Sequence, residues 1–333
     1  MDLQAQYRLI KDKIDPVIKE TVENAAFIGG PAVKNFEDEF AAYLGSGNVT
    51  SCGNGTDSLE MIMSAIGIGA GDEVIVPAMT WISTSEAVAT CGAQPVFVDV
   101  HEHNACIDIA DVERKITSRT RAIIAVHLYG NLVDMPELIS LSRKRNIKII
   151  EDCAQAHGSS INGRKVGTWG TAGSFSFFPS KNLGCYGDGG AIYTEDSDLS
   201  EKIRLIARHG QNEKNRHLIN GRNSRLDALQ ARVLSVKLPH LEKWIDQKNE
   251  HAQFYRDQLN GIPQIKLPDL AEDNSRYSWH LFVIRCEERD ALLDHLEKNH
   301  IGTGIHYPTA LPFQPCYEHL GHTHEQFPKA YQL

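Results

Sequence analysis

Four short segments of this chain are almost wholly apolar and are separated by stretches of helical patterning, and no other feature narrows the fold as much. They are Glu73–Pro77, Pro95–Val98, Arg121–Val126 and Ile147–Ile150. A strand with one wetted face alternates apolar and polar residues. These do not, which predicts strands covered on both faces. Asp57–Ile68, Ser83–Cys91 and Pro136–Lys144 lie between them and carry helical spacing. Apolar strands joined by helices imply an α/β fold with a largely parallel sheet. Two more helical patterns, over 5–25 and 34–44, precede this region. Near residue 240 the text changes. Leu241–Leu259 reads as a long polar-amphipathic helix, followed by strand-like Gln264–Leu267 and Trp279–Arg285 and a helix over Arg289–Asn299. The expected organisation is a large α/β domain with an N-terminal helix over 1–239 and a smaller α+β domain over 240–333.

Charge and composition exclude several classes of function. The 333 residues carry 34 basic and 43 acidic side chains, a formal charge of −9. Non-specific nucleic-acid binding needs a basic surface, so none is expected. No apolar run approaches the ~20 residues of a membrane span. Met1-Asp2-Leu3-Gln4 lacks the basic-then-apolar start of a signal peptide, so the expected location is cytoplasmic. The seven cysteines include no CxxC pair and are read as reduced thiols. Cys153 and Cys185, near the motifs below, are read as small core residues. His319, His322 and His324 cluster near Cys316 and Glu325, but without metal-ligand spacing, so no metal is expected.

Three segments carry candidate chemistry. Ser51-Cys52-Gly53-Asn54-Gly55-Thr56-Asp57 precedes a helix. Glycines let an anion approach the backbone, and a helix start offers free N–H groups, so this is a candidate phosphate cradle. A glycine turn capped by Thr56 or Asp57 reads equally well. In Ile149-Ile150-Glu151-Asp152-Cys153-Ala154-Gln155-Ala156-His157-Gly158 an acidic pair closes an apolar strand, where open α/β sheets place their ligands. A buried carboxylate there needs a cationic or proton-donating partner, such as the ring nitrogen of a pyridoxal-phosphate (PLP) cofactor. A helix cap is the structural alternative. In Gly173-Ser174-Phe175-Ser176-Phe177-Phe178-Pro179-Ser180-Lys181-Asn182-Leu183-Gly184, apolar residues alternate with serines and then a lysine sits in a turn. Desolvation would make Lys181 a nucleophilic amine. A surface lysine in a hairpin is the alternative.

In this order the segments resemble the DegT/DnrJ/EryC1/StrS sugar aminotransferases. The likeness extends through Phe27-Ile28-Gly29-Gly30-Pro31, Gly69–Pro77, Glu151–Gly158, Ser174–Gly190, Asn223–Gln230 and Gly304–Pro308. It implies the aspartate-aminotransferase architecture, fold type I, and PLP as cofactor. It implies Lys181 as the Schiff-base lysine that later shuttles protons, Asp152 as partner of the ring nitrogen and Gln155 as donor to the ring's 3-oxygen. Trp81 takes the ring-stacking position. Gly55, Thr56 and Ser176 would hold the phosphate, joined by Asn223 from a second subunit, so that a homodimer shares its active sites. His306 and Tyr307 would lie near the substrate.

The implied reaction moves an amino group from a donor, glutamate, to a nucleotide-linked keto sugar by a ping-pong cycle through pyridoxamine phosphate. Such reactions supply amino sugars for surface polysaccharide or secondary metabolites. Several motifs look closest to enzymes aminating C3 of a UDP-linked N-acetylated sugar acid. The alternatives are a PLP-dependent sugar dehydratase, in which a histidine replaces the lysine, a branch making an aromatic amino acid, and a non-catalytic PLP-binding protein. A nicotinamide dehydrogenase fits poorly, because the GxGxxG spacing ends on Ser58. Relatives usually continue past Phe327-Pro328-Lys329-Ala330, so the resemblance also implies a truncated small domain with cofactor binding retained and turnover weakened.

Overall fold

The computed structural model describes residues 2–269 and 274–333. Its centre is a seven-stranded sheet. In chain order the strands are β1 (Asn48–Cys52), β2 (Glu73–Pro77), β3 (Gln94–Val98), β4 (Thr120–Val126), β5 (Lys148–Asp152), β6 (Ala172–Ser176) and β7 (Gly190–Thr194). Across the sheet they run β1-β7-β6-β5-β4-β2-β3. All neighbours are parallel except those of β7, which pairs antiparallel with both β6 and β1. The four apolar segments are the central strands and one edge, as their covered faces require.

The helices are α1 (Leu3–Glu23), α2 (Gly30–Leu44), α3 (Gly55–Ala65), α4 (Ser83–Thr90), α5 (Ile109–Lys115), α6 (Met135–Arg145), α7 (Ser197–Ala207), α8 (Ala228–Lys237), α9 (Leu241–Leu259), α10 (Arg289–Lys298) and α11 (Pro328–Gln332). Successive strand residues enter opposite cores. Ile75, Ile123, Ala125 and Ile149 join the core beneath α2, α6, α8 and α9. Val74, Val76, Ala122, Ile124 and Ile150 join the core beneath α3, α4 and α7. Both faces are therefore covered.

The structure departs from the sequence reading in four places. The helix after the glycine segment starts at Gly55, not Asp57, because Asn54 is its cap and accepts from the Asp57 N–H at 2.8 Å. The strand β1, which the apolar pattern does not mark, precedes it. It is an edge strand paired only with β7, and its polar Thr50 and Ser51 are buried against hydrogen-bond partners, Ser200 and Glu37. The strand-like Trp279–Arg285 forms a ladder only at Arg285–Cys286, pairing with Ile265–Lys266. Its remainder crosses the large sheet's rim: the Ser278 N–H donates to Ser159 Oγ at 3.0 Å and the Leu281 N–H to the Tyr129 carbonyl at 3.3 Å. Gly130, at φ 95°, makes that crossing possible, since a Cβ there would lie 2.7 Å from Ser278 Oγ. Finally, residues 310–333 do not stay with the second unit. Ala310, Leu311, Tyr317, Phe327 and Ala330 are buried in the core beneath α3 and α4, and α11 is capped by Asp99, which accepts from the Lys329 and Ala330 N–H groups.

Candidate active site

Strand alternation sends the two acids that close β5 to opposite faces. Glu151 enters the core beneath α2 and is fully buried. It accepts from the backbone N–H groups of Gly167 (2.8 Å), Trp169 (2.7 Å) and Gly170 (2.8 Å). His127 Nε2 is 3.2 Å away. His127 Nδ1 accepts from the Val133 N–H, so Nε2 carries the proton and donates to Glu151. Cys153 stands close enough to complete a three-ligand group with these two. The four donors already surrounding Glu151 make it an anchor for the 167–170 loop. Asp152 enters the opposite face. Its Oδ2 accepts from Thr84 Oγ1 at 3.1 Å and its Oδ1 from the Ala154 N–H at 3.1 Å. Burial raises its pKa, against those two hydrogen bonds and the attraction of Lys181 and His127. It is a carboxylate short of a cation.

Lys181 supplies the amine on this floor. Its turn leaves β6 through Phe177 and closes with the Lys181 N–H donating to the Phe178 carbonyl at 2.8 Å. Burial lowers the lysine's pKa, opposed by Asp152. A larger neutral fraction is what a nucleophilic amine needs. His157, beside the same floor, is buried between Phe175 and Phe177 and both its ring nitrogens lack a partner. Burial holds it neutral, with a pKa pushed down to about 3.

The glycine segment and β6 meet at one point. A Cβ on Gly55 would lie 2.8 Å from Ser176 Cβ, so only glycine lets the start of α3 approach the end of β6 this closely. The first-turn N–H groups of α3 have no intrahelical acceptor. Thr56 Oγ1 donates to Ser83 Oγ at 2.7 Å, and the nearly buried Ser176 hydroxyl stands opposite. Together they outline an anion cradle at a helix start. Ser224 Oγ fixes the loop by accepting from the Gly53 N–H at 3.0 Å.

On the rim, Gln155 is pinned: its Oε1 accepts from the Tyr129 N–H at 2.8 Å, and its Nε2 donates to Tyr307 Oη at 3.0 Å. Tyr307 lies against Trp81, ring centroids 6.0 Å apart, and burial pushes its phenol up to about 12. Tyr129 Oη donates to the His306 carbonyl, which ties the 306–307 segment to the same rim. Trp81 is 57 % exposed. Asn223 is exposed on the segment before α8, with its backbone bridged to Arg208. The structure thus brings Asp152, Lys181, Gln155, Tyr307 and Trp81 to one floor and rim, and Gly55, Thr56 and Ser176 to one cradle, while Asn223 faces outward within its own chain.

Sequence reasoning missed Thr84 and Tyr129. Nothing in Ser83-Thr84-Ser85 distinguishes the hydroxyl that reaches Asp152 from its neighbours, because its partner lies 68 positions away. The donor set fits PLP, the cofactor the resemblance implies. It offers an amine of lowered pKa, a buried acid short of a cation and an N–H-rich cradle that a single Cβ would fill.

A model of the DegT/DnrJ/EryC1/StrS aminotransferase family matches residues 8–333. A dTDP-3-amino-3,4,6-trideoxy-alpha-D-glucose transaminase of Streptomyces venezuelae is 42% identical, covering 95% of this chain and 83% of its own. A UDP-2-acetamido-2-deoxy-3-oxo-D-glucuronate aminotransferase of Pseudomonas aeruginosa is 41% identical, over 95% and 88%. Among solved structures, S. venezuelae DesV in complex with a ketimine intermediate superposes with a TM-score of 0.96 at 41% identity, covering 99% of this chain and 88% of that one. NtdA from Bacillus subtilis, with bound cofactor PMP, does so with a TM-score of 0.89 at 31% identity, over 96% and 75%.

Proposed function

The chain belongs to the DegT/DnrJ/EryC1/StrS aminotransferase family, and from that membership we infer a PLP-dependent transfer of an amino group from glutamate to C3 of a keto sugar carried on a nucleotide. The observation that carries the reading is the pairing of Asp152 and Lys181 on one buried floor, with opposite pKa perturbations from burial. Both named relatives act at position 3 of a nucleotide-linked hexose, one on dTDP and one on UDP, and their near-equal identities support the ring position over either nucleotide.

PLP, when bound, supplies a conjugated ring that withdraws electrons from the carbon bearing the amino group. The residues of this chain then have distinct tasks. Lys181 would hold the cofactor covalently and move a proton to and from the substrate carbon. Asp152 stays ionised against the ring nitrogen and keeps it protonated, with Thr84 and the Ala154 N–H favouring the charged form. Gln155 has one amide hydrogen on Tyr307 and a second free for the ring oxygen. Trp81 would cover a face of the ring. Gly55, Thr56 and Ser176 hold the phosphate, completed by Asn223 of the partner subunit. His306 and Tyr307 meet the substrate, and Tyr307 stays neutral at physiological pH.

Reduction of the PLP-loaded protein with borohydride, followed by peptide mapping, tests the core of this reading. The adduct is expected on Lys181. Adducts on Lys237 or Lys248, the other buried amines with pKa values lowered to about 8, would overturn it. The trapped protein's untreated counterpart should be converted by glutamate and then aminate dTDP- or UDP-linked 3-keto hexoses. Turnover of 4-keto sugars alone would move the reaction to another carbon.

A further inference from the structure

Lys248 has no task in the reaction above, yet its charge is withdrawn from water beside the lysine turn. It rises from α9. Its ammonium donates to Asn182 Oδ1 at 2.7 Å and to the Trp279 carbonyl at 3.2 Å. Both acceptors are neutral, and burial lowers the amine's pKa to about 8. Asn182 directly follows Lys181, is 3 % exposed, and donates through Nδ2 to the Ser278 carbonyl at 3.0 Å. The next residue of α9 grips the same strap: Asn249 donates to the Tyr277 carbonyl at 3.0 Å and accepts from Trp279 Nε1 at 3.1 Å. Trp279 is itself held at φ 44°, a backbone state that a bulky residue rarely adopts without outside support.

These contacts converge on a short path. α9 holds the 277–279 strap, the strap and Lys248 together hold the Asn182 amide, and Asn182 is one peptide from the amine-bearing Lys181. The turn is also closed internally, by the Lys181 N–H on the Phe178 carbonyl. Three residues after Lys181, Gly184 packs so tightly that a Cβ would lie 2.4 Å from the Pro179 carbonyl oxygen. With its backbone so confined, the direction in which the Lys181 side chain leaves the turn depends on how Asn182 is seated. A glutamine at 248 would reach less far and donate more weakly than an ammonium, whose hydrogen bonds to neutral oxygens are charge-assisted.

We propose that Lys248 is a positioning residue that clamps Asn182 and thereby aims Lys181 at the cofactor and the substrate carbon. The proposal rests on the functional reading above. Lys237 provides an internal comparison. It is a fully buried lysine that donates to the Gly184 carbonyl at 2.6 Å, an acceptor on the same turn but three residues from Lys181 rather than one.

The test compares Lys248→Met, Lys248→Arg and Lys237→Met in the PLP-loaded protein. Three quantities are read: the visible circular dichroism of the bound cofactor, the glutamate half-reaction, and thermal stability. Lys248→Met should keep the cofactor, distort its dichroic band and slow the maximal half-reaction about ten- to a hundredfold with the half-saturating glutamate concentration little changed, since a misplaced reacting group costs rate rather than binding. Lys248→Arg should recover most of both signals. Lys237→Met should lower stability while leaving band and rate near wild type. A wild-type band and rate in Lys248→Met, an arginine variant as impaired as the methionine one, or equal loss in Lys237→Met would each overturn the assignment. Should Lys248→Met not fold, Asn182→Leu against Asn182→Asp replaces it. The aspartate still accepts from Lys248 but gives up the donation to the Ser278 carbonyl, so it should keep more of the band and the rate than the leucine variant, which loses both contacts. Wild-type protein that gives no adduct on Lys181 would instead refute the functional reading, before the clamp is tested.

Discussion

Glu151 and Asp152 are neighbours of the same charge, and a reader of the sequence sees one acidic pair. The strand's two-residue period separates them completely. Glu151 gathers three backbone N–H groups and His127 into a buried anchor, whereas Asp152 is left with two donors and an unmet need for a cation. Their substitutions should therefore fail differently. Asp152→Asn should fold normally and still be trapped on Lys181, yet lose at least about a hundredfold in the glutamate half-reaction, because an amide cannot keep the ring nitrogen protonated. Glu151→Gln removes a buried charge from four donors and places an NH₂ where only acceptors fit. It should cost about 3 kcal/mol of stability, read as a shift in the denaturation midpoint. A stable Glu151→Gln protein with no half-reaction would exchange the two roles. At this scale the expected places of Lys181, Asp152 and Gln155 came from a resemblance, and the structure brings the three to one floor and rim. Thr84, Tyr129 and Lys248 were not legible, because each acts on a residue far away in the chain and nothing local marks it.

Elements were legible where packing demands a distinctive composition. The doubly covered strands β2, β4 and β5 announce themselves, and α9 was read with its bounds intact, since its text is long enough to show a helical period. The polar edge strand β1 was missed. In α7, charged residues and the buried Leu199, Ile203 and Ile206 share one short helix. The start of α3 was misplaced by two residues for a reason that matters to the site: Gly55 looks like loop and is the first residue of the helix. Gly55→Ala sets two effects against each other. Alanine favours a helix by up to about 1 kcal/mol over glycine. The new Cβ, however, would lie 2.8 Å from Ser176 Cβ, an atom fixed to the backbone of β6. The close approach should win. Gly55→Ala is expected to weaken PLP binding at least about tenfold, equivalent to ~1.4 kcal/mol, in titrations of the apoprotein, with helix content unchanged. Unaltered affinity would remove the cradle from this junction.

For the whole molecule, the α/β class and the mostly parallel sheet followed from pattern alone, while the path of residues 310–333 did not. A sequence shows where patterning changes, near 240, but not that the chain later returns to bury Phe327 and Ala330 against the first unit. Nor does it show which apolar side chains stay in solvent. Trp81, Phe178, Ile28 and Leu218 are all more than half exposed. Large exposed apolar groups favour a covering partner, and this supports the reading of a homodimer in which Asn223 serves the neighbouring site. Two-fold symmetry makes that reading testable by mixing. A Lys181→Ala chain and an Asn223→Ala chain should each be severely impaired alone. In a mixed dimer, one site receives both substitutions and the other receives neither. Random exchange puts half of the dimers in the mixed form with one good site of two, so activity should recover to about a quarter of wild type. If Asn223 instead served its own chain, every site in the mixture would carry one substitution. Subunit exchange demonstrated by mass, with no recovery, would therefore place Asn223 in cis.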